Sequence, residues 1–439
     1  GQVLPGTTVK AIHQPSGTVF GTVTRADGRF NLPNLRIGGP YMVEFSFIGY
    51  KTNRTEGIQL SLAQKLDLSV SLEESAQTTT IEITANTDAT INKERTGAAT
   101  YVNQAQIQAL PTISRSASDY TRLTPASDGN SFGGRNDQFN NFSLDGAIFN
   151  NPFGLDAATP GGQTDAQPVS LDAIDQIQVS LAPYDVTQAG FTGAAVNAVT
   201  KSGTNSFTGT IFSFYRNEAL TGNKVGSSEV FKGDQSQFQG GFAIGGPIIQ
   251  NKLFFFANAE FERRSDLGSN YLAAASGRTG ENVSRVLASD LQAVSNALKQ
   301  RFGYDTGAYE NFTHQTPNQK GILKLDWNLS ERSKLAATYQ FLQASKDKPA
   351  HPSAIGRRGP DYTTLQFENA GYRINNNLNT AIVELRTLFG NKASNKLQAG
   401  FSSFRDTRDP FSSPFPVINI NKDGIRYIVA GHEPFSINN

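Results

Sequence analysis

The second half of the chain alternates between apolar and polar or very small residues. Phe238, Gly240, Phe242 and Ile244 fall on one side of an extended backbone, and Gln239, Gly241, Ala243 and Gly245 on the other. After a turn from Pro247 to Lys252 the pattern resumes with Leu253, Phe255, Ala257, Ala259 and Phe261. It recurs around the turns Asn328 to Ser333 (Leu323, Leu325, Trp327; Leu335, Ala337, Tyr339, Phe341) and Gly390 to Asn395 (Ala381, Val383, Leu385; Leu397, Ala399, Phe401). Strands that separate lipid from a polar lumen alternate in this way. Phe254 and Phe256 interrupt the alternation beside a turn, where an aromatic girdle at the membrane interface is expected.

The connections set an orientation. Turns after the even strands are short, whereas Glu218 to Gln235, Arg264 to Pro317 and Ala344 to Tyr372 are long and polar. Outer-membrane barrels keep short turns in the periplasm and long loops outside. In the second long loop, Val283, Val286, Leu287, Leu291, Val294 and Leu298 recur at helical spacing. This predicts an amphipathic helix from Asn282 whose stripe packs on neighbouring loops.

The first part is patterned differently. Tyr41, Val43, Phe45 and Phe47 alternate with Met42, Glu44, Ser46 and Ile48, as in a strand packed on a sandwich core. Asp27-Gly28 between Val23-Thr24 and Phe30-Leu32 predicts a hairpin, since Gly accepts positive φ. From Glu73 to Asn86 a polar linker leads into Thr80, Ile81, Glu82, Ile83, Thr84 and Ala85, a β-prone run that no adjacent turn ties into a hairpin. It reads either as a free strand for a partner's sheet edge or as an edge strand of a neighbouring domain.

Composition narrows the classes. The 439 residues are enough for three domains. A hydrophobic content of 37% and a mean hydropathy of −0.38 fit neither a helical membrane protein nor a disordered chain. No apolar run reaches the ~18 residues of a spanning helix, but a tilted barrel strand needs only ~9–11. With 39 basic and 38 acidic residues and no long basic run, there is no electrostatic footprint for nucleic acid. The absence of cysteine removes disulfides and thiolate chemistry. His13, His314, His351 and His432 are scattered, so no catalytic group, metal site or cofactor is expected.

Three islands carry a resemblance to the plug domain of TonB-dependent outer-membrane transporters. They are Ala109 to Arg115 with DYTRLTP from Asp119, then GGRNDQFNNFSLDGAIFNNPFG from Gly133, and VSLDAIDQIQVSLAPYDVTQAGFTGAAVNAVTKSGTN from Val169. YMVEFSFIGY from Tyr41, with DGRF upstream, resembles the carboxypeptidase-regulatory-like domain, a noncatalytic transthyretin-like sandwich. The two together resemble the Oar-like group. The resemblance implies an all-β dominated chain: a sandwich over residues 1–72, a linker with a TonB box over 73–87, an α+β plug over 88–206, and the first part of a membrane barrel over 207–439. Only about seven strands precede Arg405, against about 22 in a plugged transporter. The expectation is therefore a longer protein, with later barrel strands and a first sandwich strand beyond this sequence.

By resemblance, Thr80 to Ala85 is the segment a TonB-type energy-coupling protein captures by strand addition. Phe149, Asn150, Asn151 and Phe153 combine aromatics and amides on a Pro-containing loop and are expected to contact a ligand at the plug apex, or else to pack against the wall. Arg135, Asp145 and Gly146 are expected to be structural, with Arg135 pairing the Asp145 carboxylate or a loop carbonyl. The function implied is energy-coupled transport across the outer membrane, and the protein is expected not to be an enzyme. The alternative is a surface scaffold or a protein-export conduit. The expected partners are the coupling protein, outer-membrane lipid and an unknown ligand; peptide or protein cargo and a surface lipoprotein partner stay open.

Overall fold

A computed structural model describes residues 2–62, 65–75, 81–84, 99–112, 115–129, 131–150, 159–181, 191–229, 233–350, 359–390 and 393–433. For Ile81–Thr84 and Ser228–Glu229 the description is of the backbone. Three large sheets follow one another along the chain, with smaller sheets of two or three strands among the loops.

The first sheet comprises β1 (Thr8–His13), β2 (Thr18–Val23), β3 (Gly38–Ser46), β4 (Asn53–Leu60) and β5 (Ile81–Thr84), in the order β2-β1-β3-β4-β5. Tyr41, Val43 and Phe45 face inward on β3 and join Val9, Ala11, Phe20 and Ile58. The second layer is an extended segment in which Leu66, Leu68, Val70 and Leu72 alternate toward that core. The Asp27-Gly28 turn closes as expected, with Gly28 N–H donating to Arg25 O at 2.9 Å. Phe30 and Leu32, however, form no strand; they fold over as core covers, Phe30 meeting Phe45 edge-on at 5.5 Å.

The plug sheet comprises β6 (Ala99–Val102), β7 (Asn141–Leu144), β8 (Ala147–Ile148), β9 (Ile174–Ser180) and β10 (Ala195–Thr200), in the order β8-β7-β10-β9-β6. Helix α1 (Gln104–Ala109) opens with a capping box between Asn103 and Gln106, and Ile107 enters the core. Tyr120, on the short helical turn Ser118–Thr121, is fully buried and donates to Ile107 O at 2.8 Å, tying that turn to α1.

Seven long strands form the third sheet in simple antiparallel succession: β11 (Thr208–Asn217), β12 (Gln235–Ile249), β13 (Leu253–Leu267), β14 (Thr313–Asn328), β15 (Ser333–Lys348), β16 (Tyr372–Phe389) and β17 (Ala393–Pro410). The sheet does not close, and β11 and β17 are its edges. Outward positions match the alternation: Phe242, Phe261, Leu323, Tyr339, Val383 and Phe401 are exposed. No described helix is long and apolar enough to cross a membrane; the strands supply the lipid-facing surface.

Two expectations change. Phe254 and Phe256 are not girdle residues. They alternate with Phe255 and so point inward, where the plug replaces water; both are buried, and Phe256 joins the plug's own core. In the long loop the helix α2 begins only at Ala288 and ends at Phe302. The preceding Val283–Leu287 is a short strand, so its apolar residues match the helical spacing without sharing the helix. Leu291 and Leu298 still bury the α2 stripe against loop residues Leu365, Phe367, Tyr427 and Ile428.

Candidate plug and coupling site

The Asp145-Gly146 turn joins β7 to β8, with positive φ at both residues (49° and 84°). This conformation turns the Asp145 carboxylate across the sheet toward β10 rather than toward Arg135. Asp145 Oδ1 accepts from Thr200 N at 2.9 Å and Oδ2 from the Thr200 hydroxyl at 2.5 Å. Lys324, reaching in from β14, donates to the same hydroxyl oxygen at 2.9 Å and lies 3.4 Å from Asp145 Oδ2. From β17, Gln398 donates to Asp145 O at 2.9 Å. The structural role expected for Asp145 thus has a different partner. Arg135 is exposed on a tight turn, its backbone bonded to Phe132 and Ser131, and no carboxylate pairs with it among the described residues.

A second junction lies deeper. Ser170 donates to Glu260 Oε2 on β13 at 2.6 Å. Lys320 on β14, directly opposite in register, and Gln239 on β12 each approach Oε1 at 2.9 Å. Glu260 is 1% exposed and Lys320 3%, so the charges are compensated inside the wall. Further along, Gln340 donates to Pro168 O at 2.5 Å, and Lys346 pairs with Asp165. Between these polar contacts the plug core runs without a break into wall residues Phe256, Ile322, Leu342 and Leu378. At the edge strand β11, Arg115 of the plug stacks over Phe212 and Phe214, 4.2 and 4.9 Å from their centroids, while pairing with Asp172.

These wall residues were missed by sequence reading. Their one legible signal is that Glu260, Lys320 and Lys324 occupy the inward positions of apolar-outward strands.

The expected apex residues divide. Phe149 is fully buried, edge-on to Phe142 at 6.5 Å, and so belongs to the plug core rather than to a ligand surface. Asn150 spends its Oδ1 on the Phe142 amide at 2.8 Å, bracing the β7–β8 hairpin. Asn151 and Phe153 lie outside the described residues.

Of the segment expected to serve coupling, Thr80 and Ala85 also lie outside the described residues. Ile81–Thr84 is β5, paired parallel to β4 with Asn53 opposite Ile81 and Glu56 opposite Thr84. This is the edge-strand alternative raised by the sequence. The sandwich in turn is seated on the plug and the short turns. Gln176 of β9 accepts from Leu62 N and donates to Leu60 O, at 3.1 and 3.3 Å. Asn205 N donates to Pro15 O at 2.8 Å and Asn328 to the Thr18 hydroxyl at 3.0 Å. Beneath this seat, burial pushes the Asp175 carboxyl above its usual range against the pull of Arg36 and Lys201, and burial lowers Lys201. No group of three or more His, Asp or Glu that could hold a metal occurs among the described residues.

A family model described as an outer membrane beta barrel domain matches residues 199–438. The chain belongs to this outer-membrane barrel family. A carboxypeptidase regulatory-like domain matches residues 1–73 of this barrel protein. The barrel protein is 28% identical over 255 residues to the TonB-dependent transporter Oar of Myxococcus xanthus, covering 54% of this chain and 23% of that one. Its fold is similar to that of the outer membrane transporter YddB from Escherichia coli, with a TM-score of 0.50 and 14% identity over 76% of this chain and 43% of that one. The chain therefore spans about a quarter of the curated relative and under half of the solved one. The resemblance to TonB-dependent transporters of Oar-like arrangement stands, and the outer membrane is the place of this barrel.

Proposed function

We propose that the protein moves a ligand across the outer membrane through its plugged barrel, driven by a TonB-type coupling protein that pulls on the segment around Ile81–Thr84. The observation that carries this reading is the continuity of plug and wall: an apolar core shared with Phe256, Ile322, Leu342 and Leu378 and sealed by Ser170, Glu260 and Lys320 leaves no standing pore past the described plug on this side. Passage then requires work to displace the plug, and a strand near the plug's start is a handle on which work can be done. The sandwich and short turns face the periplasm in this reading, and the long loops face outward. Ile83→Pro removes a strand-pairing amide; it should abolish ligand uptake while leaving the amount of protein in the outer membrane unchanged. Uptake at the wild-type rate would refute energy coupling through this segment.

The cargo is to be identified from what co-purifies with the intact protein in mild detergent, by mass spectrometry. A second reading, docking or export of proteins, draws on the loop unit in which α2, Phe367, Tyr427 and Ile428 share one core. A stoichiometric folded partner whose retention is insensitive to Ile83→Pro would favour it.

A further inference from the structure

We propose that the N-terminal sandwich is a latch for the coupling segment: it stores Ile81–Thr84 as its fifth strand, and the segment must be released before a coupling protein can capture it. The inference rests on the coupling reading above and goes beyond it.

Three observations carry it. First, the pairing is in register over the whole length of β5, with Asn53, Arg54, Thr55 and Glu56 opposite Ile81, Glu82, Ile83 and Thr84. Second, the host strand is fixed. At its far end, the Leu60 carbonyl and the Leu62 amide are held by Gln176 of the plug, while the β1–β2 turn is held by Asn205 and Asn328. A segment paired to β4 is therefore kept against the periplasmic face of the barrel. Third, the segment has reach to lose. Apart from β5, the last sandwich pairing is the Tyr50–Glu74 bridge, and the plug sheet begins at Ala99. The intervening chain, extended, could span about 80 Å at ~3.3 Å per residue.

The latch also limits recognition. Successive residues of a strand direct their N–H and C=O groups to opposite edges. With one edge given to β4, only alternate residues of this four-residue strand remain for a partner, and the strand cannot turn to offer the other edge. Release doubles the available backbone groups and restores the reach. A pull on the released segment then loads the plug at β6, whereas a pull on the latched segment loads the sandwich and its seat.

The chain has no cysteine, so a cross-link can be introduced without background. In the intact protein in outer-membrane vesicles, Glu56→Cys with Thr84→Cys places two thiols opposite each other, and Glu56→Cys with Glu82→Cys is the out-of-register control. The latch predicts rapid disulfide formation in the first pair and little in the second. It also predicts that the purified periplasmic domain of a TonB-type coupling protein captures the oxidised first pair at least tenfold less well than the reduced form, with recovery on adding reductant. Equal cross-linking of the two pairs, or equal capture of oxidised and reduced protein, would overturn the latch. Register-specific cross-linking with no capture of either form, nor of a free peptide spanning residues 76–90, would instead remove the coupling reading and the latch with it.

Discussion

Ser170 of the plug and Glu260 of the barrel wall share a hydrogen bond of 2.6 Å, and the other oxygen of Glu260 holds Lys320. The bond joins the plug to the wall through a carboxylate already compensated electrostatically within the wall. Losing Ser170 therefore differs in kind from losing Glu260. Ser170→Ala leaves the ion pair intact and should cost about 1–3 kcal/mol at most. Glu260→Ala strands a buried ammonium and should cost about 3–5 kcal/mol. Thermal unfolding in detergent ranks the two. Conductance in planar bilayers should show more frequent openings for Glu260→Ala than for Ser170→Ala.

Asp145 and Lys324 should be energetically coupled, and Arg135 should not take part. A double-mutant cycle with Asp145→Asn and Lys324→Met is expected to give a coupling energy of about 0.5–3 kcal/mol, as residues in one polar network do. Arg135→Ala should lie within about 0.5 kcal/mol of wild type, as exposed substitutions do. Chemical denaturation of the purified protein measures all of these; a large effect at Arg135 would contradict the exposed placement.

Gly161 sits at φ +85°, and an added Cβ would lie 2.7 Å from a methyl of Leu342 on the wall and 3.0 Å from Ala166 O. Gly161→Ala should therefore loosen the plug by about 1–3 kcal/mol, combining left-handed strain with overpacking. Leu342→Ala in the same chain should relieve the steric part and leave the backbone strain. Protease sensitivity of the plug would report both effects.

His13 gives the sandwich a pH response. Burial, then the Arg36 charge, lowers its pKa from 6.5 to about 4, and its Nδ1 lies 2.6 Å from the Ser16 hydroxyl. The folded state holds the neutral ring, so between about pH 6.5 and 4 the unfolded chain binds the extra proton. The stabilisation is present above pH 6.5 and is lost as pH falls toward 4, by on the order of 3 kcal/mol. Hydrogen-exchange protection of β1 amides should decline over that window. In His13→Gln that part of the decline should disappear.

The lipid-facing half of the barrel was legible because a two-residue period toward hydrocarbon leaves its mark on each strand independently. Phe242, Leu323 and Val383 could be placed without knowing their neighbours. The inner half was not. The pairing of Glu260 with Lys320 depends on which strands are adjacent and in what register, and its use by Ser170 depends on the plug, 90 residues away in sequence. Phe254 and Phe256 misled for the same reason, since a plugged lumen accepts aromatics that a watery one would reject. Val283–Leu287 shows that apolar spacing alone does not distinguish a helix from a strand followed by a helix. The turn at Asp145 was recognised, but its strands, and not its nearest arginine, decide where the carboxylate goes.

The contacts that seat the sandwich on the short turns have a consequence for the environments in which the protein can work. Pro15 to Asn205 and Thr18 to Asn328 are hydrogen bonds between uncharged groups, and Asn205 and Asn251 brace each other through their amides at 2.7 Å. Counterions screen charges but leave such bonds almost untouched. Of the join between the sandwich and the barrel body, salt should weaken the attraction of Arg36 for Asp175 beneath the seat, while these bonds keep the same posture in dilute water and in brine.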